Sequence, residues 1–213
     1  MSEHSGTLLE LLEAIKRKAP EYYDLLVVKT DEEFEQAFTT LLEQAIHKVE
    51  ANKKNFSTLS EDGISAAFAL AMDMPGLTVT QEQNSNGHVD LTITADHCFP
   101  MRTKLGEAKI YDGPEYHVKG LEQLLKRYTT GREGRGLVLA YFKKPGIAML
   151  LKKVRNHMEA EKPCNQKGAI ADHAIKWGFV STHTHSCGED LEVSHVGCNL
   201  HCESDVKTSS ESA

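Results

Sequence analysis

The chain has 213 residues and a mass of 23.6 kDa, enough to bury a sizeable core as one compact domain. Its formal charge of −7 and pI near 5.9 exclude a protein coated in positive charge, while leaving room for a local basic groove on an acidic body. No run of about eighteen apolar residues is present, and the five cysteines follow no disulfide-framework spacing, so the chain is expected to be soluble, disulfide-free and cytoplasmic.

Residues 7–18 place Leu8, Leu11, Leu12 and Ile15 at helical spacing, and Pro20 closes that segment. The apolar run from Leu25 to Val28 fits a strand or a helix. Thr30 with Glu33 forms a capping box ahead of one continuous stripe (Phe34, Phe38, Leu41, Leu42, Ala45, Ile46, Val49), which predicts a long helix. A second helix starts at Ser60 as N-cap, carries Ile64, Ala67, Phe68 and Ala71 on one face, and ends before Pro75 and Gly76. Strand-like runs follow at 77–83, 88–95 and 104–111, joined by the turn former NSNG and by a longer loop through Pro100.

Val118, Leu121, Leu124, Leu125 and Tyr128 then predict a helix over 115–129, ended by GREGRG. GLVLAYF (136–142) is nearly all apolar, as a strand covered on both faces is. A helix over about 146–160 follows, then strands at 177–184 and 190–200 forming a hairpin around SCGED. The tail from 203 to 213 lacks an apolar face and is expected to be disordered. Short connections make the first three strands antiparallel, whereas the strand after helix 115–129 is free to lie parallel to one of them. The expected fold class is α/β, a mixed β-sheet with flanking helices. It forms a single domain over 1–202: an N-terminal helical extension to 56, a core over 57–145, and a helix with a C-terminal hairpin over 146–202.

Two of these strands carry charge where a core does not want it. In LGEAKIY the two-residue period puts Leu105, Glu107, Lys109 and Tyr111 on one face and Gly106, Ala108 and Ile110 on the other. In HVDLTIT it puts Val89, Leu91 and Ile93 on the apolar face and Asp90, Thr92 and Thr94 opposite. If the two strands are neighbours, Asp90, Glu107 and Lys109 converge. Carboxylates placed so suit a hard divalent cation such as Mg²⁺, with an ammonium beside it to orient water or offset developing negative charge. The same pattern also describes a solvated strand face with a surface ion pair.

The stretch GHVDL followed by GEAK resembles the aspartate, glutamate-x-lysine core of the PD-(D/E)xK nuclease superfamily, the restriction-endonuclease-like fold. The predicted helix, three strands, helix and strand over residues 57–145 are similar to its αβββαβ core. No proline precedes Asp90, which departs from the fullest form of that motif. The resemblance implies a metal-dependent endonuclease using Mg²⁺ or Mn²⁺, with Asp90 and Glu107 as metal ligands, the backbone carbonyl of Ala108 as a further one, and Lys109 as the catalytic lysine. Many such sites add an acid from the preceding helix, here Glu61 or less well Asp62; acids in a first helical turn also simply complement the helix dipole. Glu82 near the end of the first strand is another candidate. The helix after the third strand offers Gln123, while Tyr128 falls on its apolar stripe. Lys119, Lys126, Arg127, Arg132, Arg135, Lys143, Lys144, Lys152, Lys153 and Arg155 supply the basic density a DNA backbone needs.

A free-standing nuclease domain without a DNA-reading module resembles the effectors of bacterial defence systems, which implies duplex DNA as substrate and a homodimer or a defence-system protein as partner, with no membrane. The alternatives are a non-catalytic nuclease-fold scaffold or DNA-binding subunit, and a zinc-binding regulatory protein built on His183, His185, Cys187, His195, Cys198, His201 and Cys202. The spacing of that cluster matches no standard zinc pattern, and a hairpin with buried cysteines and polar-face histidines explains it as well. His183 or His185 could instead meet a DNA phosphate. Trp177, the only tryptophan, is expected in the core beside Phe179.

Overall fold

A computed structural model describes residues 7–84, 88–95, 97–98 and 101–203. The expected disordered tail beyond residue 203 lies outside them, as do the side chains of Glu82 and Tyr128. The N-terminal part is helical: α1 (Leu8–Lys18), α2 (Pro20–Val27), α3 (Asp31–Ala51), the single turn α4 (Lys53–Phe56) and α5 (Glu61–Met72). Of the two readings open for Leu25 to Val28 the helix holds, Leu25 to Val27 ending α2, and Pro20 opens that helix at a first-turn position where its missing N–H costs nothing. The capping box of α3 is formed as expected, with the Glu33 N–H donating to Thr30 Oγ1 at 3.2 Å and the Thr30 N–H to Glu33 Oε2 at 3.2 Å.

The remaining elements are β1 (Thr78–Asn84), β2 (His88–Ala95), β3 (Arg102–Ile110), α6 (Pro114–Gln123), β4 (Arg135–Phe142), α7 (Ile147–Glu161), β5 (Gln166–Asp172), β6 (Gly178–Thr184) and β7 (Asp190–Asn199). They build a seven-stranded mixed sheet in the order β1-β2-β3-β4-β7-β6-β5. The central strands β3, β4 and β7 are parallel, and antiparallel partners extend the sheet on both sides. The chain is therefore α/β, with helices on both faces. The buried stripe of α3 and the buried side of α5 pack with Leu91, Ile93, Ala108, Leu137, Leu139 and Tyr141 on one face. Residues of α6 and α7 pack with Leu105, Val138, Ala140, Phe142, Phe179 and Val193 on the other. That burial on both sides accounts for the almost wholly apolar β4.

Three expectations need correction. The helix expected over 115–129 stops being α-helical at Gln123 and continues as a π turn over Leu124–Tyr128, the wider turn being closed by the Thr129 N–H donating to the Leu124 carbonyl at 3.1 Å. Strand β5 was not expected. It is an edge strand with little apolar alternation, and its register with β6 shifts between Lys167 and Ala171. Trp177 lies just outside β6, half-buried, with φ 59, so it packs at the margin of the core and not inside it. Among the described residues no helix is long and apolar enough to cross a membrane.

Candidate active site

The site forms where β2 leaves β3. Their pairing runs from Ala95 opposite Arg102 to Leu91 opposite Gly106, while β3 continues beside β4 as far as Ile110. The end of β3 therefore keeps backbone groups that β2 no longer satisfies, and buried N–H groups need partners. Two carboxylates supply them. The Ala108 N–H donates to Asp90 Oδ2 at 2.9 Å, and the Ile110 N–H donates to Glu61 Oε2 at 2.7 Å. Within a strand the N–H and C=O of one residue point to the same edge, so the Ala108 carbonyl lies on this edge too.

The faces of β3 are as the two-residue period predicts: Leu105 and Tyr111 pack with α6 and α7, Ala108 and Ile110 with α3 and α5. The pattern in β2 breaks. Leu91 and Ile93 join the α3/α5 layer, but Val89 packs in the other one, beyond the point where β2 stops pairing with β3 while it stays paired with β1.

Lys109 is the hub. Its Nζ lies 2.7 Å from Glu107 Oε1, 3.2 Å from Glu61 Oε1 and 3.7 Å from Asp90 Oδ2. Glu61, the first residue of α5, thus does more than complement the helix dipole: its side chain crosses from the helix to β3. Asp62 makes no ion pair to Lys109 among the described residues. Glu107 is fully buried, and neither of its carboxylate oxygens has a hydrogen bond of good geometry, the nearby ammonium included. Burial, and then the charge of Asp90, push the Glu107 carboxyl up to about 7. Burial also raises Asp90, against the opposing pull of the Ala108 N–H. For Lys109 burial acts downward, but Glu107, Asp90 and Glu61 outweigh it and hold the ammonium protonated well above its ordinary value.

Three carboxylates around one ammonium leave two negative charges unbalanced. Among the described residues no three His, Cys, Asp or Glu side chains stand as a ready-made metal group; here the Lys109 ammonium occupies the middle of the carboxylates. The donor set nonetheless fits a hard divalent cation. The Glu107 carboxylate, the Asp90 carboxylate and the carbonyl edge of Ala108 are all oxygen ligands, and with all three acids ionised the surplus charge equals that of the ion.

Gln123, half-buried at the end of α6, makes no hydrogen bond to these groups among the described residues. What α6 contributes instead is Gly120, which the sequence did not single out. A Cβ there would sit 3.1 Å from Lys109 Cγ and 3.4 Å from Glu107 Cγ. Gly120→Ala is expected to change stability by less than about 1 kcal/mol, since the helix-propensity gain offsets a slight overlap. Gly120→Val is expected to cost about 2 kcal/mol by forcing Lys109 and Glu107 aside. Urea unfolding of both variants checks this, and equal stability of the two would contradict the close packing.

The C-terminal histidines and cysteines do not gather as one cluster. Cys198 is buried in the α3/α5 layer, whereas His183 and His195 are fully buried on the α6/α7 side, so they are neither polar-face residues nor placed to touch a phosphate. His185 is also buried, its Nε2 3.2 Å from the Thr129 carbonyl and its Nδ1 3.1 Å from Cys187 Sγ. No zinc ligand group exists among the described residues. In its place is a hydrogen-bonded chain: His117 Nε2 to His195 Nδ1 at 2.8 Å, His195 Nε2 to Ser181 Oγ at 2.7 Å, Ser181 Oγ to His183 Nε2 at 2.7 Å, and His183 Nδ1 to the Cys164 carbonyl at 3.1 Å. A carbonyl only accepts, so with neutral rings every proton points toward Cys164. That leaves His117 Nδ1 a bare, buried lone pair without a partner among the described residues.

Of the basic residues between 119 and 155, Lys126, Arg135, Lys144 and Arg155 are paired with acids, and Lys143 donates to the Leu59 carbonyl. Lys119, Arg127, Arg132, Lys152 and Lys153 have no ion pair among the described residues. No family model, no curated protein and no solved structure matches the chain.

Proposed function

We propose that the chain is a metal-dependent endonuclease of the PD-(D/E)xK type that hydrolyses phosphodiester bonds of duplex DNA with Mg²⁺ or Mn²⁺, on a restriction-endonuclease-like core. The observation that carries this reading is Glu107, a fully buried carboxylate in a group of three acids that share one counter-charge, the Lys109 ammonium 2.7 Å from Glu107 Oε1. One ammonium shared by three carboxylates leaves buried negative charge that a divalent cation would relieve.

In this reading Asp90, Glu107 and the Ala108 carbonyl would hold the ion, with Glu61 as a further acid at the same edge. A divalent cation there would supply Lewis acidity toward a phosphate and acidify water. Lys109, then no longer needed as the counter-charge of Glu107, would be free to orient water and to offset charge on the phosphate. Glu61 positions Lys109, whose Nζ it contacts at 3.2 Å. The role is that of a defence-system effector acting in the cytoplasm. As one site serves one strand, duplex cleavage calls for a homodimer or a protein partner.

One observation favours a second reading, a non-catalytic subunit that kept the fold: Lys109 already lies between all three carboxylates. Plasmid nicking separates the two. With Mg²⁺ or Mn²⁺ the wild type is expected to cut, and chelator, Glu107→Gln or Lys109→Ala to lower the rate by at least about 100-fold. Cleavage that survives Glu107→Gln would assign the activity elsewhere, and a wild type that binds metal without cutting would favour the non-catalytic subunit.

A further inference from the structure

We propose that the cleft between α7 and the start of β6 binds a nucleotide, its base against Trp177 and its phosphate on Lys152. The cleft has a volume of about 450 Å³ and is lined by Trp177 just before β6, by Phe179 in it, and by Leu151, Lys152, Arg155 and Asn156 from α7. That is room for one small ligand. It is separate from the candidate active site: β6 is the third strand from β3 in the sheet, about 14 Å away at the usual strand spacing.

The backbone holds Trp177 there at a cost. Its φ of 59 is a conformation that bulky residues rarely adopt. The Gly197 N–H donates to the Trp177 carbonyl at 2.9 Å, and Gly178 pairs with Val196 next along, which anchors the chain on either side of the indole. The indole is thereby kept half-buried at the cleft instead of in the layer beneath. Phe179 gives a rigid floor, 1% exposed and stacked on His195 with ring centroids 4.5 Å apart.

The polar groups select the ligand. Arg155 is already engaged by Asp172, by Glu159 and by the Ile170 carbonyl, so it is a structural cation. Lys152 has no ion pair, and the Asn156 amide no hydrogen bond, among the described residues. Both are exposed, and four residues apart on a helix they face the same way. The Trp177 indole, which carries the Lys176 ammonium 4.9 Å from its ring centroid, together with the Lys152 ammonium and a free amide complements a planar ring with a hydrogen-bonding edge and an attached anion. An aliphatic acid would leave the aromatic wall unused, and a nucleoside would leave Lys152 unused. A free mononucleotide and a nucleotide within a strand share this chemistry.

Trp177, as the only tryptophan, reports on the cleft directly. Its fluorescence is followed with full-length protein in chelator, which keeps metal out of the Glu107 site, during titration with AMP, adenosine, inorganic phosphate and a short single-stranded oligonucleotide. AMP is expected to quench saturably and more tightly than adenosine. Lys152→Ala is expected to weaken AMP about tenfold and leave adenosine unchanged, and Asn156→Ala to weaken both. Saturation by the oligonucleotide alone places the nucleotide in a strand. If neither AMP nor the oligonucleotide saturates up to about 10 mM, or if Lys152→Ala has no effect on either, the proposal is overturned. Because Glu107 and Lys109 take no part, failure here leaves the hydrolytic reading untouched.

Discussion

Replacing Lys109 by methionine is expected to cost the metal-free protein about 3 kcal/mol of stability at pH 8, since removing one partner leaves buried charge uncompensated. The loss is expected to shrink at pH 5.5. Lys109 is the counter-ion of three carboxylates, and the most buried of them, Glu107, is pushed up to about 7 even with the ammonium present. Without it Glu107 is driven higher still, so at pH 5.5 it is neutral in wild type and variant alike and needs no partner. Adding Glu107→Gln to Lys109→Met is expected to restore most of the stability lost at pH 8. Urea unfolding in chelator at both pH values measures these differences. A Lys109→Met variant as stable as the wild type at pH 8 would show that the ammonium does not hold the cluster together.

The second large effect is acid destabilisation by the buried histidines. Burial pushes His117 down to about 4 and lowers His183 and His195, the latter further lowered by the neighbouring rings. Above pH 6.5 neither the folded nor the unfolded chain protonates them. As pH falls below 6.5 the unfolded chain takes protons that the native chain refuses, so stability is lost from there down toward the folded values. Glu107 works the other way over its own window: with a folded value near 7, the native state keeps a proton from about pH 7 down to 4.5 that the unfolded chain releases. Just below pH 6.5 the unfolded histidines are only half protonated and Glu107 offsets part of their uptake, so stability is expected to fall gently there and more steeply toward pH 5.5, where the unfolded histidines are nearly all protonated. Replacing His117 by phenylalanine is expected to remove about one proton from that slope. Urea midpoints between pH 7.5 and 5.5 give the answer, and a flat profile would mean that the chain opens to solvent or carries charge when folded.

Local signals made much of the fold legible. The capping box at Thr30 and the stripe from Phe34 to Val49 fixed α3, and the two-residue period in β3 put Glu107 and Lys109 on one face. Short connections gave the antiparallel β1, β2 and β3, and the apolar run in β4 showed a strand covered on both sides. What was not legible depended on contacts far apart in sequence or on backbone without a side-chain signature. Strand β5 is an edge strand held by its pairing with β6, not by an apolar pattern of its own. The left-handed backbone of Trp177 has no glycine to announce it, and its carbonyl finds its partner in the Gly197 N–H twenty positions later. His117 and His195 meet across 78 residues, so spacing within the C-terminal segment could not show that histidines would pair there without cysteines. In the site itself, Asp90, Glu107 and Lys109 followed from the period and the resemblance, but Gly120 did not, because a glycine that clears space for a neighbouring strand has no pattern in one sequence. The break in alternation at Asp90 was hidden for a related reason: a strand leaving its partner looks, residue by residue, like one that stays.

The central claim is that the carboxylates around Lys109 form a divalent-cation site built on Glu107. Calorimetric titration of chelator-free protein with Mn²⁺ alone tests it most directly, since it needs neither substrate nor activation. Saturable binding to the wild type is expected, abolished by Glu107→Gln, which leaves the metal-free protein at least as stable. No binding to the wild type at millimolar Mn²⁺, or binding that Glu107→Gln leaves unchanged, would contradict it.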